Sequence, residues 1–384
     1  MATNHNKPIV LAAGGTGGHI FPAEALAREL LARGRAVTLV TDKRGHAFGD
    51  ALPEVAVHRI HAASPAGGIV GKLTAALRMG MGFLQASALL RHLEPAAVVG
   101  FGGYPSVPTV YAAGQARIPA LLHEQNAVLG RANRMLAGSA RRLAVAYPEI
   151  SGVRDADRGK IVPTGNPVRP AVAAMRGAPY EAPTADGPVR ILVMGGSQGA
   201  RVFSEVLPAA VAALPANLRA RLHLSQQCRP EDLEAVRAAY RDLGLGSVEL
   251  ESFFRDVPQR LAACHLAITR AGASTVAELT CIGRPAILVP YPFATDDHQT
   301  ANARAVAAAG AAWPIPQPEF TAEAVAARLT ALLERPDDLA RAAQAAHAWG
   351  TAEAAARLAD AVLAMIGNTN GANGNHSHAT EAAE

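Results

Sequence analysis

Aromatic side chains are scarce in this chain of 384 residues, at 4%. So few rings argue against a platform on which nucleic-acid bases stack, and no nucleic-acid partner is expected. Lysine is confined to Lys7, Lys43, Lys72 and Lys160. The formal charge of +4 rests mostly on arginine, a bias that reflects genome composition more readily than function. A mildly basic surface still favours an anionic partner such as a diphosphate or an acidic lipid headgroup. The cysteines are Cys228, Cys264 and Cys281. An odd number without a C-x-x-C pair excludes a disulfide framework and a zinc site, and fits a reducing compartment. No run of about 20 apolar residues stands out, so no bilayer span is expected. The apolar start Pro8–Ala13 is too short for the core of a signal peptide. A soluble or at most peripheral protein is the expectation.

What is present is a large apolar fraction, 50%, with 35 glycines and 26 prolines placed mostly between apolar runs. The length suggests two domains. Strands are predicted at Ile9–Ala13, Ala36–Thr41, Val55–Ile60, Ala97–Phe101, Pro119–His123 and Arg142–Ala146, with helices such as Pro22–Arg33 and Leu73–Leu93 between them. From Ser151 to Pro188 the chain turns rich in Pro, Gly, Asp and Arg and reads as a linker. The pattern then restarts, with strands predicted at Val189–Met194, Arg221–Ser225, Val248–Ser252, His265–Thr269 and Ala286–Pro290. Continuous apolar strands separated by helices indicate α/β architecture, here two doubly wound, Rossmann-like parallel-sheet domains facing a cleft.

Each half opens with an apolar strand, a glycine-rich turn and a helix. The turns are Gly14-Gly15-Thr16-Gly17-Gly18-His19 and Gly195-Gly196-Ser197-Gln198-Gly199-Ala200. Such a turn leads into the unpaired N–H groups and positive dipole of a helix start, a seat for a diphosphate. Neither turn ends in the Gly-Lys-Ser/Thr of a P-loop. A dinucleotide fingerprint with Gly15, Gly17 and Asp42 fits poorly, because its third glycine falls at Ile20.

His19 enters the first helix beside whatever the turn binds, and an imidazole there is a candidate general base. In the second half, Ser274 and Thr275 suit a helix start. Glu278 follows one turn later, where a carboxylate can accept from two adjacent ribose hydroxyls. The polar run Asp296-Asp297-His298-Gln299-Thr300-Ala301-Asn302 reads as a loop lining a sugar pocket. Asp155-Ala156-Asp157 has the spacing of a metal-binding pair, but Arg154 and Arg158 beside it favour local ion pairing, and neither metal nor cofactor is expected.

The two glycine turns, Gly100–Ser106, His123–Ala127, Gly165–Arg169, Arg270–Glu278 and His298-Gln299 occur in one order. In that order they resemble the MurG family of bacterial N-acetylglucosaminyltransferases, over roughly residues 8 to 365. The resemblance implies an inverting glycosyltransferase of the two-Rossmann-domain (GT-B) type. Its donor would be UDP-N-acetylglucosamine and its acceptor lipid I, the undecaprenyl-diphosphate-linked muramyl pentapeptide; its product would be lipid II. It implies donor contacts at Thr16, Gly17, Gly18, Asn126, Arg169, Ser197, Phe254, Ala273, Ser274, Thr275, Val276, Ala277, Glu278 and Gln299. The acceptor diphosphate would meet Gly15, Gly102, Gly103 and Tyr104. His19 is the preferred base and Glu124 its rival. Arg169 and N–H donors near Ser197 would meet charge on the departing diphosphate.

Two departures from the family pattern stand out: Val107, Thr109 and Tyr111 where small residues are usual, and Phe254 where an aliphatic residue is usual against uracil. The resemblance also implies an acceptor and membrane-side domain at 1–167, with a helix at 350–366 packing back on it. A UDP-sugar-binding domain would span 168–349. The tail at 367–384, which carries His376 and His378, shows no apolar pattern and reads from its composition as disordered. Leu73, Leu77, Met81 and Leu84 share one helical face within Ile69–His92, near Lys72, Arg78 and Arg91, a pattern suited to docking on an anionic inner-leaflet surface. The expected place is the cytoplasmic face of the inner membrane, alongside other cell-wall synthesis proteins. Rival readings are a UDP-sugar 2-epimerase of the same fold, a nicotinamide-dependent dehydrogenase and a non-catalytic nucleotide-sugar sensor.

Overall fold

A computed structural model describes residues 7–14, 17–42, 52–64, 68–196 and 199–372. The chain forms two compact units, Met1–Pro167 with Glu353–Glu384, and Val168–Ala352.

In the first unit, β1 (Ile9–Ala12), β2 (Val37–Thr41), β3 (Ala56–Arg59), β4 (Ala97–Gly100), β5 (Ala120–Glu124), β6 (Arg142–Val145) and β7 (Ile161–Pro163) form one sheet. Its order is β3-β2-β1-β4-β5-β6-β7, and every pairing is parallel. All four β1 side chains are buried, because helices cover both faces of the sheet. That is why the strand reads as a continuous apolar run rather than an alternating one. The helix Gly17–Ala32 contributes Leu26 and Leu30 to the core on one face. The helix Ala354–Ala372 returns from the end of the chain to add Leu358, Val362 and Ile366 to the same cluster. Full burial of each such side chain stabilises by roughly 1.5–3 kcal/mol. Arg33 fastens the returning helix, its Nη1 donating to Asp360 Oδ1 at 2.5 Å and its Nη2 to the Ala356 carbonyl at 3.3 Å.

The second unit repeats the design. Strands β8 (Val189–Met194), β9 (Leu222–Gln227), β10 (Ser247–Glu251), β11 (Leu266–Thr269), β12 (Ala286–Leu288) and β13 (Ala312–Pro314) lie in the order β10-β9-β8-β11-β12-β13. All are parallel. The strand order reverses between β1 and β4 in one sheet and between β8 and β11 in the other. In such sheets the carboxyl ends at that switch point are where ligands bind. Both glycine turns follow these strands, and so do Phe101-Gly102-Gly103 and Arg270-Ala271-Gly272. The two-domain α/β expectation holds.

Some expectations need correction. Ser151–Pro188 is not a linker. It contains the helix Asp155–Arg158 and β7, which pairs with β6. Its later part is tied into the second unit: Tyr180 donates to the His265 carbonyl at 2.9 Å, and Arg176 donates to the carbonyls of Cys281 and His347, each at 2.9 Å. The buried Arg284 also donates to the Pro179 carbonyl at 3.0 Å and to the Ala262 carbonyl at 2.6 Å. The first helix begins at Gly17, with Pro22 inside it, rather than at Pro22. The last helix runs to Ala372, past the boundary at residue 366 expected for it. His376 and His378 lie outside the described residues.

Among the described residues one helical stretch, Gly71–Leu93, is long and apolar enough to cross a membrane by length and composition alone. Within its helix, Ile69–Leu93, the residues Ala75, Ala86 and Leu90 are buried. Leu73, Leu77, Met81 and Leu84 stand between 46% and 66% exposed.

Candidate functional site

At the β8 switch point the chain turns so tightly that Gly195 admits no side chain. A Cβ there would sit 2.1 Å from the Ala200 nitrogen. Gln227 Oε1 accepts from the Gly195 N–H at 3.2 Å and pins the turn to β9. Ser197 lies outside the described residues.

The helix Ala273–Ile282 starts immediately after β11 and the Gly272 cap, and no side chain caps it. Its first N–H groups therefore face outward with the positive dipole end. Ser274 Oγ is buried and has no hydrogen-bond partner among the described residues. A buried hydroxyl without a partner is costly unless a ligand or water supplies one. Ala273, Thr275 and Ala277 are half-buried around it. Val276 is different: its side chain belongs to the buried interior, so only its main chain remains for a donor contact.

Glu278, 7% exposed, lies on this helix. Arg169 Nε donates to Oε1 at 2.7 Å and Nη2 to Oε2 at 2.9 Å, a two-point ion pair. Burial pushes the Glu278 carboxyl up, and the Arg169 guanidinium opposes this. Arg169 thus orients the carboxylate in this structure, a partner different from the diphosphate expected for it. Each carboxylate oxygen has a second lone pair available for a hydroxyl.

Phe254 also departs from expectation. Its ring is buried, with the Arg260 guanidinium 4.1 Å from the centroid, so, as at Val276, its main chain remains for a donor contact. The ring exposed at this turn is Phe253, at 65%. Gln299 Oε1 accepts from the Tyr291 N–H at 2.9 Å, shaping the loop after β12. Arg270, absent from the expected contacts, holds the same loop through the Val289 and Pro290 carbonyls, each at 3.2 Å.

In the first unit, Gly15 and Thr16 lie outside the described residues, and Gly17 and Gly18 open the helix that carries His19. The His19 ring packs on the main chain of Gly102 and Gly103. Gly103 has φ +71°, and a Cβ there would approach His19 Cδ2 to 3.3 Å. Tyr104 follows, half-buried. Val107 and Thr109 point into the interior from the helix Ser106–Gln115, while Tyr111 turns outward against Phe83 at 5.4 Å. None of the three lies in the Gly102–Tyr104 loop itself.

His19 Nδ1 meets Gln125 Oε1 at 3.1 Å. The rival base, Glu124, is buried and already accepts four hydrogen bonds. They come from the Asn126 N–H and Nδ2, each at 3.1 Å, the Gly130 N–H at 2.9 Å and Asn133 Nδ2 at 2.8 Å. A carboxylate so occupied orders its loop, and Asn126 is one of its donors. Gln125 and Asn133 are site residues that the sequence pattern did not single out. Gln125 stood inside a flagged motif, whereas Asn133 had no local signal.

Asp157 is gripped by Lys160 Nζ at 2.8 Å and Arg154 at 2.6 Å, and Asp155 by Arg158 at 3.0 Å. Ion pairing is what this acidic pair does. Among the described residues, no group of three or more His, Cys, Asp or Glu side chains is placed to hold a metal.

The glycosyltransferase family 28 N-terminal domain matches residues 9–145, and the family 28 C-terminal domain matches residues 190–361. A relative from Rhodospirillum centenum is 66% identical over 364 residues, covering 95% of this chain and 96% of its own length. Another, from Paramagnetospirillum magneticum, is 56% identical over 368 residues, with 95% and 99% covered. Both are named UDP-N-acetylglucosamine--N-acetylmuramyl-(pentapeptide) pyrophosphoryl-undecaprenol N-acetylglucosamine transferase. The crystal structure of Acinetobacter baumannii MurG superposes with a TM-score of 0.77 at 31% identity, covering 93% of this chain and 99% of that one. A UDP-GlcNAc 2-epimerase from Neisseria meningitidis reaches 0.64 at 12% identity, with 93% and 100% covered, which is a likeness of fold alone. With both halves matched and such identity along nearly its whole length, the chain belongs to glycosyltransferase family 28, in its MurG branch.

Proposed function

We infer that this protein is an N-acetylglucosaminyltransferase. It moves the sugar from UDP-N-acetylglucosamine to the C4 hydroxyl of the muramyl sugar of lipid I, giving lipid II with inversion at the anomeric carbon. The full-length likeness to transferases named for this reaction carries the reading, and the epimerase alternative is not favoured. Peptidoglycan precursor synthesis is the process it serves.

In the proposed chemistry the acceptor hydroxyl attacks the anomeric carbon, His19 takes its proton, and the bond to the diphosphate breaks as UDP leaves. Groups that meet the charge growing on the diphosphate accelerate this step only insofar as they bind the transition state more strongly than the ground state. The uncapped N–H groups at Ala273 and Ser274 suit that task, and Glu278 suits the ribose. No step in this scheme calls on a metal or a cofactor. Gly102, Gly103 and Tyr104, beside His19, suit the acceptor diphosphate.

An acceptor carried by a polyprenyl chain has to be met at a membrane. The exposed row Leu73, Leu77, Met81 and Leu84 offers a shallow apolar face with Lys72 and Arg78 close by in sequence, suited to an anionic inner-leaflet surface. Peripheral attachment at the cytoplasmic face follows from this reading, where other cell-wall synthesis proteins are its expected neighbours.

The test is turnover of UDP-N-acetylglucosamine with and without a lipid I analogue. Acceptor-dependent release of UDP together with a disaccharide product supports the reading. Conversion of the donor alone into a 2-epimer would replace it.

A further inference from the structure

A chain of hydrogen bonds in the first unit begins at a main-chain carbonyl and ends on His19. His123 Nε2 stands 3.1 Å from the Gly165 carbonyl. A carbonyl only accepts, so the ring donates from Nε2 and keeps its lone pair on Nδ1. Gln125 Nε2 lies 3.0 Å from that Nδ1, 3.0 Å from the Phe101 carbonyl and 3.1 Å from the His123 carbonyl. Turning this amide over would set its oxygen against two carbonyl oxygens, so the surroundings fix its orientation. Gln125 Oε1 therefore faces His19 Nδ1 at 3.1 Å and can only accept. His19 donates from Nδ1, and the lone pair falls on Nε2.

Two further observations keep this direction from reversing. Gln125 is 1% exposed and His123 is fully buried, so bulk water offers no competing partners. Burial also pushes the His123 imidazole down to about 4, leaving it neutral with a single N–H at physiological pH.

We propose that Gln125, backed by His123, is a positioning residue that sets the tautomer of His19, holding the proton on Nδ1 and presenting Nε2 to the acceptor hydroxyl. The proposal rests on His19 being the base. The hydroxyl proton moves to Nε2 as the new C–O bond forms and the bond to UDP breaks. His19 becomes an imidazolium whose Nδ1–H stays on Gln125. An amide is no base, so the relay takes no proton itself, and His19 returns the one it gained to solvent. An unrestrained histidine prefers the opposite tautomer, with the proton on Nε2, where it accepts nothing from the substrate. In a hydrolase of another class, a histidine held in the wrong tautomer costs about 10⁴ in kcat.

The test uses full-length protein labelled with ¹⁵N-histidine, held well above the imidazole pKa. Long-range ¹H–¹⁵N correlations distinguish the two tautomers, and His19 is assigned by its loss in His19→Gln. The parent protein should show His19 protonated on Nδ1. Gln125→Met should shift it to Nε2–H and lower kcat about 10²-fold, with UDP-N-acetylglucosamine affinity within about twofold of the parent. A parent spectrum with His19 protonated on Nε2 overturns the proposal, as does a Gln125→Met protein that keeps the Nδ1–H form or full kcat. If Gln125→Met does not fold, the parent spectrum alone still decides between the two tautomers. Normal turnover in His19→Ala removes the base assignment itself, and the two failures are told apart because the tautomer is read without any turnover.

Discussion

Arg169 holds both oxygens of Glu278, through Nε at 2.7 Å and Nη2 at 2.9 Å. The pair joins the start of the second unit's chain to the helix Ala273–Ile282, whose first turn no side chain caps. Its geometry is the two-point fit that a guanidinium makes and an ammonium does not.

Arg169→Met should leave a buried carboxylate without its partner. The expected cost is about 1.5–3 kcal/mol of stability by urea unfolding, and adding Glu278→Gln should recover part of it. UDP affinity, measured by calorimetry, should fall about tenfold in Arg169→Met, which corresponds to about 1.4 kcal/mol. Unchanged stability and affinity would show the pair to be incidental.

His19 and Glu124 should separate cleanly by kinetics. His19→Ala is expected to lower kcat about 10²–10⁴-fold with little change in stability, since the ring is only half-buried. Glu124→Gln presents one acceptor oxygen where four donors converge. It should lower the unfolding midpoint, with its activity loss following the loss of folded protein. A stable Glu124→Gln protein without turnover would instead restore Glu124 as the base.

The exposed row on the helix Ile69–Leu93 should bind vesicles. Flotation with vesicles containing anionic lipid should capture the protein. Leu77→Glu with Leu84→Glu should abolish capture, while Lys72→Glu with Arg78→Glu should weaken it about thirtyfold, near 1 kcal/mol for each basic residue lost. Turnover of a short-chain, water-soluble acceptor should survive all four substitutions. Capture that ignores them would move the membrane face elsewhere.

Asp157 should reveal itself through pH. Hydrogen bonds from Lys160 and Arg154 hold its carboxyl below the ordinary value. A carboxyl lowered in the folded state adds stability above its unfolded pKa and loses it as pH falls through the folded one. Asp157→Asn should therefore cost about 1–3 kcal/mol at neutral pH, and its deficit against the parent should shrink below about pH 4. Urea unfolding across that range checks the sign.

Much of this architecture is legible from local pattern. The central strands are unbroken apolar runs, and both glycine turns fall where the strand order reverses. The short β7 and β13 escaped because each has three residues and ends in proline, Pro163 and Pro314, which local pattern reads as loop. The segment after Ser151 reads as a linker because its anchors are distant: Tyr180 on His265, Arg176 on Cys281, Arg284 on Pro179. The same holds in the site. His19 and Glu278 stand out by their place in a motif, but that Arg169 meets Glu278, or that four donors occupy Glu124, depends on tertiary packing. Phe254 shows the converse, a motif position whose side chain packing has turned away from the role its place suggests.

The helix Ala354–Ala372 belongs to the unit whose strands were made first. During synthesis the second unit has all its strands before the first has Leu358, Val362 and Ile366 to close its core. The amino-terminal half must therefore wait at the ribosome, incomplete, while the part encoded after it matures. The gene cannot be cut once to yield two self-sufficient pieces.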